Sequence, residues 1–116
     1  MGCGYQGRDF VHIEDVLDCI EVAMTKIHDG RAINIGQGIL TSFRDLIQIF
    51  CEFAGYNPEI KPLLDKPVGV HCRYCDMTWV KENLEWEPKI SIKEGMRRVY
   101  DAVKKREIEE GNLAIN

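Results

Sequence analysis

No apolar run in these 116 residues approaches the ~18 that a membrane-spanning helix needs. A membrane span is therefore not expected. The first residues, Met1-Gly2-Cys3-Gly4-Tyr5-Gln6, carry no apolar h-region of a secretory signal. The myristoylation pattern is incomplete as well, because Gln6 stands where it calls for Ser or Thr. No internal repeat, low-complexity tract or Ser/Pro-rich linker divides the chain, so residues 1–116 are read as a single domain. A cationic excess is missing too. The 15 Lys+Arg face 19 Asp+Glu, a net charge of −4, which excludes nonspecific nucleic-acid binding. The five cysteines, Cys3, Cys19, Cys51, Cys72 and Cys75, are odd in number and irregular in spacing. That is not a disulfide framework, and reduced thiols in the cytoplasm are the expectation.

What is present is an ordinary globular balance, 45 % hydrophobic and 29 % charged, enough to build a core without staples. Residues 2–7 read as a glycine-rich loop, followed by a short extended piece, Phe10-Val11-His12-Ile13. Val16, Leu17, Ile20, Ala23, Met24 and Ile27 then recur at helical spacing, with Glu14 and Asp15 in the first turn and Gly30 as the stop. Ala32-Ile33-Asn34-Ile35 reads as a buried strand and Gly36-Gln37-Gly38 as a turn. Ser42 is placed to cap a helix whose face is Phe43, Leu46, Ile47, Phe50 and Phe53, ended by Gly55. Glu59-Ile60-Lys61 is a second candidate strand, and residues 63–75 a loop or irregular strand. Asp76 is expected to cap a short helix carrying Val80 and Leu84. Ser91-x-x-Glu94 is a capping box, and Ile92, Met96, Val99, Tyr100 and Val103 line the helix behind it, with fraying expected from Lys104. The fold class is α/β, α+β-like as an isolated piece: helix-rich, with a few short strands.

Several motifs have a plain structural reading beside a chemical one. Gly36-x-Gly38-x-x-Thr41 sits between a predicted strand and a helix, as a dinucleotide loop would, but Thr41 replaces the third glycine, so a turn is the simpler reading. His71-Cys72-Arg73-Tyr74-Cys75 holds one C-x-x-C, whereas zinc wants four ligands; Cys3 would join only through the fold, so no metal site is assigned. Cys19 and Cys51 are read as core, and His12 and His28 as structural. The charges on the last helix form a solvated face of i,i+4 pairs. Arg8 and Arg73 stand in loop or strand segments, where a planar donor fork suits phosphate oxygens; an ordinary surface ion pair is the alternative.

Five segments in order bring a family into view. Gly4-Tyr5-Gln6-Gly7-Arg8-Asp9-Phe10-Val11-His12-Ile13-Glu14-Asp15-Val16 resembles a G-x-x-x-R-D-F-(V/I)-H-V-x-D-V segment. Asn34-Ile35-Gly36-Gln37-Gly38 with Ser42 resembles N-I-G-x-G-x-x-x-S. Lys66-Pro67-Val68-Gly69-Val70 with Arg73 and Asp76 resembles P-x-G-x-x-x-R-x-x-D. Leu84-Glu85-Trp86-Glu87-Pro88 is similar to L-G-W-x-P, and Ile92-Lys93-Glu94-Gly95-Met96 to L-x-E-G-L. Together they resemble the NAD-dependent nucleotide-sugar epimerases and dehydratases, the extended short-chain dehydrogenase/reductases. The 66–76 stretch is most similar to the GDP-mannose 3,5-epimerase and GDP-fucose synthase group.

The resemblance implies the carboxy-terminal, substrate-side part of such an enzyme, without its Rossmann half. It implies Arg8 and Arg73 as contacts to the phosphates and nucleotide of a nucleotide-sugar, with Gln6 in the same loop. NAD(P) belongs to the full-length family; no cofactor site and no catalytic residue are assigned to this chain. The family's catalytic Tyr-x-x-x-Lys precedes its R-D-F segment, and Tyr100-x-x-x-Lys104 lies on the last helix instead, where it is read as coincidence. The chain is expected not to catalyse alone. A noncatalytic binding or self-association module is the alternative, its partner a Rossmann-domain chain or a second copy. Glu85 replaces the family's glycine, and Val70 stands where some relatives carry a polar residue.

Overall fold

The computed structural model describes residues 4–67 and 69–111. Cys3 and the last residues from Asn112 lie outside them. The order of elements is β1 (Gly7–Arg8), α1 (Ile13–Lys26), β2 (Thr41–Ser42), α2 (Phe43–Ala54), α3 (Thr78–Asn83) and α4 (Ile92–Glu109). β1 and β2 pair antiparallel, Gly7 with Ser42 and Arg8 with Thr41.

The helix ends follow local chemistry. His12 caps α1, its Nδ1 accepting from the Glu14 N–H at 3.1 Å. Ser42 and Ser91 cap α2 and α4 by accepting from the N–H groups of Asp45 and Glu94, three residues on. α2 stops at Gly55, which takes the left-handed conformation at φ 66°. Asp76 accepts from the Thr78 N–H at 3.0 Å just before α3, and hydrogen bonding from the Thr78 side chain, then from that N–H, holds its carboxyl below the usual carboxylate range.

The core is small. Cys19 of α1, Met77, Val80 of α3, Leu84 and Trp86 are buried together, with Val22, Ala23, Ile27, Ile33 and Ile35 packed around them. The indole N–H of Trp86 donates to Asp18 at 2.8 Å. Beside this core α2 packs on α4, where the rings of Phe53 and Tyr100 meet at 6.0 Å. Asp15, 3 % exposed, reaches across from α1 and accepts from the N–H groups of Lys89 and Ile90 at 3.1 and 2.9 Å.

Five expectations need correction. Residues 32–35 and 59–61 are not strands. An apolar segment becomes a strand only when another offers its backbone, and none of the described residues does so for 32–35. The two short strands lie instead at 7–8 and 41–42, where the hydrophobic pattern is silent. Ile13 opens α1 rather than ending an extended piece, and Cys51 is half-buried rather than core. α4 runs on to Glu109 instead of fraying at Lys104, with Arg97–Asp101 as an i,i+4 pair along it.

Glu85 is the one described non-glycine residue with positive φ, at 52°. The left-handed region costs a residue with a Cβ roughly 1 kcal/mol or more, and glycine almost nothing. The Glu85 carboxylate meets Lys26 at 3.9 Å from a side chain that is 84 % exposed, a contact of little worth. Glu85→Gly is therefore expected to stabilise the fold by about 0.5 kcal/mol, part of the relief being offset by the freer unfolded chain. A urea titration followed by circular dichroism checks it; an unchanged or lower midpoint refutes it.

Candidate functional site

Gly7 is the hub of the site. On one side it pairs with Ser42; on the other, segment 71–73 runs parallel to it. The Gly7 N–H donates to the His71 carbonyl at 2.8 Å, and the Arg73 N–H donates to the Gly7 carbonyl at 3.2 Å. A Cβ at Gly7 would come within 2.6 Å of the Leu40 side chain, which would have to shift to admit it. Residues that alternate along a strand share a face. The register thus sets Arg8 and Arg73 side by side on adjoining segments, 65 positions apart in sequence.

Arg8 is half-buried. Its Nη1 donates to the Gly7 carbonyl at 2.7 Å and to that of His71 at 3.5 Å, and its guanidinium lies 5.8 Å from the centre of the Phe43 ring. Phe43 is itself held by an edge contact with Phe10 at 6.0 Å. Arg73 is exposed. Among the described residues no carboxylate pairs with either arginine, whereas Arg31, Arg97 and Arg106 each have one and Arg98 has two. Gln6 lies two residues before Arg8. It is 5 % exposed, its carbonyl accepts from the Phe43 N–H, and its side-chain oxygen has no hydrogen-bond partner among the described residues.

Asp9, adjacent to Arg8, is committed elsewhere. Its carboxylate accepts from the N–H groups of Gln37 at 2.7 Å, Gly38 at 2.9 Å and Cys75 at 3.1 Å. It thereby fastens the Gly36–Gly38 turn to the segment that carries Arg73. A Cβ at Gly36 would fall within 2.5 Å of Asp9 Oδ2 and 2.8 Å of Cys75 Sγ. The glycines of this turn admit a carboxylate of the same chain, and amides that would cradle a phosphate already bind one anion. Sequence reasoning missed this role for Asp9; its only signal was the place beside Arg8.

The remaining candidates fall into structural places. Cys75 is half-buried, and burial, followed by the charge and hydrogen bond of Asp9, pushes its thiol up, away from reactivity. Cys72 is exposed and free. Among the described residues no three His, Cys, Asp or Glu side chains gather as metal ligands, and Cys3 lies outside them. Tyr100 packs on Phe53, with Lys104 Nζ 5.9 Å from its own ring. His12 serves α1 as its cap.

Comparisons with known proteins give the family. A family model described as GDP-mannose 4,6 dehydratase matches residues 1–99. The putative GDP-L-fucose synthase 2 of Arabidopsis thaliana is 27 % identical over 100 residues, 86 % of this chain and 30 % of the relative. The putative UDP-glucose 4-epimerase of Methanocaldococcus jannaschii is 35 % identical over 105 residues, 89 % of this chain and 33 % of the relative. Among solved structures, the UDP-glucose 4-epimerase of Thermotoga maritima with UDP-glucose superposes with a TM-score of 0.81 at 34 % identity, covering 91 % of this chain and 34 % of that one. The chain spans about a third of the length of these relatives. On this evidence it belongs to the GDP-mannose 4,6 dehydratase family, among the NAD-dependent nucleotide-sugar epimerases and dehydratases of the short-chain dehydrogenase/reductase class.

Proposed function

We propose that this chain is the nucleotide-sugar-binding portion of an NAD-dependent epimerase or dehydratase, and that it does not catalyse alone. Arg8 and Arg73 hold the diphosphate, and Gln6 lies against the nucleotide. One observation carries the reading. Two guanidinium-bearing residues sit on adjoining segments with no carboxylate between them among the described residues. Two like charges placed together favour an anion, and arginine's planar fork fits phosphate oxygens two at a time. Phe43 and the Gly7 and His71 carbonyls fix the Arg8 head before a ligand arrives. The Gly36–Gly38 turn does not fit a dinucleotide phosphate, because its amides are bonded to Asp9. NAD(P) would supply the redox chemistry of the reaction from a site beyond these residues. The free thiols suit the reducing cytoplasm.

Titration calorimetry with UDP-glucose, GDP-mannose and dTDP-glucose tests the assignment. Arg8→Ala and Arg73→Ala are each expected to weaken the best of the three by ~10-fold or more, since charge-assisted hydrogen bonds contribute about 1.5–3 kcal/mol. Absence of binding at millimolar ligand, or affinity indifferent to both substitutions, overturns it. The second reading, a binding or association module without catalysis, is favoured by the apolar side chains that α1 leaves exposed.

A further inference from the structure

His71 opens the His71-Cys72-Arg73-Tyr74-Cys75 stretch, and no metal site among the described residues takes it up. The fold gives it another setting. Gly7 and Cys72 are bridged in parallel, so the residues on either side of the bridge also stand abreast. Arg73 comes beside Arg8, and His71 beside Gln6. Side chains two positions apart along an extended segment share a face. His71 therefore joins Gln6, Arg8 and Arg73 on one face, while Cys72 and Asp9 belong to the other.

The Arg8 guanidinium ties this face together. Its Nη1 reaches the His71 carbonyl at 3.5 Å, and a Cβ on Gly69 would stand 3.5 Å from its Nη2. Segment 69–71 thus runs along the guanidinium rather than away from it. His71 is exposed, and among the described residues its imidazole has neither a hydrogen-bond partner nor a carboxylate. The charged and titratable neighbours on the adjoining elements are few. β1 brings Arg8 and Asp9, the segment itself brings Cys72 and Arg73, and the start of α2 brings Arg44 and Asp45. Asp9 is already bonded to the N–H groups of Gln37, Gly38 and Cys75. The chain carries 19 Asp+Glu against 15 Lys+Arg. In such a chain, a face that gathers two guanidiniums and an imidazole around no carboxylate is a place for an anion.

We propose that His71 is a third contact to the diphosphate, made by the protonated imidazole, so that nucleotide-sugar binding takes up a proton. This role rests on the assignment of Arg8 and Arg73 and adds a residue to it. Histidine is the side chain that ordinarily changes charge between about pH 5 and 8. A bound dianion favours the charged imidazole, so binding and protonation promote each other. The sign follows. Affinity is greatest where the imidazole is charged and falls as pH rises. The ligand itself does not titrate in this range. Both its phosphates are esterified or bridged, and the second ionisation near pH ~6 belongs to phosphate monoesters.

Titration calorimetry on the full chain at about pH 6 and about pH 8 tests this, with UDP-glucose, GDP-mannose and dTDP-glucose as probes. The best-bound of the three is expected to bind ~5-fold more tightly at the lower pH, a modest gain because the imidazole is exposed. Titrations in buffers of unlike protonation enthalpy are expected to show uptake of a fraction of one proton per ligand. His71→Gln is expected to hold the weaker affinity at both pH values and to abolish the uptake. His71→Lys, charged at both, is expected to hold the tighter affinity at both. Both variants should keep the circular dichroism of the parent, since the side chain is exposed. A pH dependence or proton uptake that survives His71→Gln overturns the proposal and points to His12 or His28 instead. So does a parent affinity that changes by less than ~2-fold between the two pH values. Affinity that needs Arg8 and Arg73 but ignores both pH and residue 71 refutes the role of His71 alone. Absence of binding at either pH refutes the arginine assignment with it.

Discussion

Replacing Asp9 with alanine is expected to destabilise the fold by about 3 kcal/mol, because three backbone N–H groups lose one acceptor at once. The donors belong to segments far apart in sequence, Gln37 and Gly38 on one side and Cys75 on the other. They are partly buried, so water replaces only some of what is lost. Hydrogen bonds to an ionised group contribute roughly 1.5–3 kcal/mol singly, and three sharing a carboxylate contribute less than three times that. Asp9→Asn separates charge from shape. Oδ2 serves Gly38 and Cys75 while Oδ1 serves Gln37, so an amide turns its NH2 toward one backbone N–H in one orientation and toward two in the other. Its cost should therefore stay well above 1 kcal/mol. Urea unfolding followed by circular dichroism decides; a loss below about 1 kcal/mol for alanine would show that the turn is held by other contacts. The same substitution is expected to weaken nucleotide-sugar affinity, since Asp9 fastens the segment that brings Arg73 beside Arg8.

That dependence explains which parts of the molecule were legible in the sequence. Ser42, Ser91 and Gly55 announced their helix ends because each cap closes within a few residues, so the signal and its cause share one window. Helix spans were legible for the same reason, but not which apolar side chains are covered, since Leu17, Ile20, Met24, Val99 and Val103 are exposed. The strand at 32–35 was not realised because its sequence states only that it is apolar, while a strand also requires a partner elsewhere. The two-residue pairing of Gly7–Arg8 with Thr41–Ser42 has no periodicity to display. Arg8 and Arg73 stood out as arginines in loop or strand segments and gained a role from the order of the motifs; the register beside Gly7 that makes them neighbours is a long-range fact. Asp9 beside Arg8 and Asp15 in a first helical turn carry no local sign of what they bond, their partners lying 28 to 75 positions away. Glu85 stands where the family pattern has glycine, and the positive φ there supplies the physical reason for that glycine.

Asp15→Ala is expected to cost about as much as the Asp9 substitution, ~3 kcal/mol, although it removes two hydrogen bonds rather than three. Burial makes up the difference. Asp15 is 3 % exposed, so the N–H groups of Lys89 and Ile90 have little access to a replacement solvent partner, and truncation also leaves unfilled space beside Cys19. The two donors directly precede Ser91, the cap of α4. Asp15 thus sets the angle at which the chain enters α4, and through α4 the packing against α2. Its loss should loosen both helices rather than one turn. For a chain of this size, about 3 kcal/mol lowers the thermal midpoint by roughly 10–20 °C. Ser91→Ala, which removes only the cap, should cost about 1 kcal/mol. If Asp15 acts by holding the entry to α4, amide exchange in the first turns of α4 should speed up in the Asp15 variant more than in the Ser91 variant. Equal effects from the two would reduce Asp15 to one more local contact, and an unfolding midpoint within a degree or two of the parent would remove it from the framework altogether.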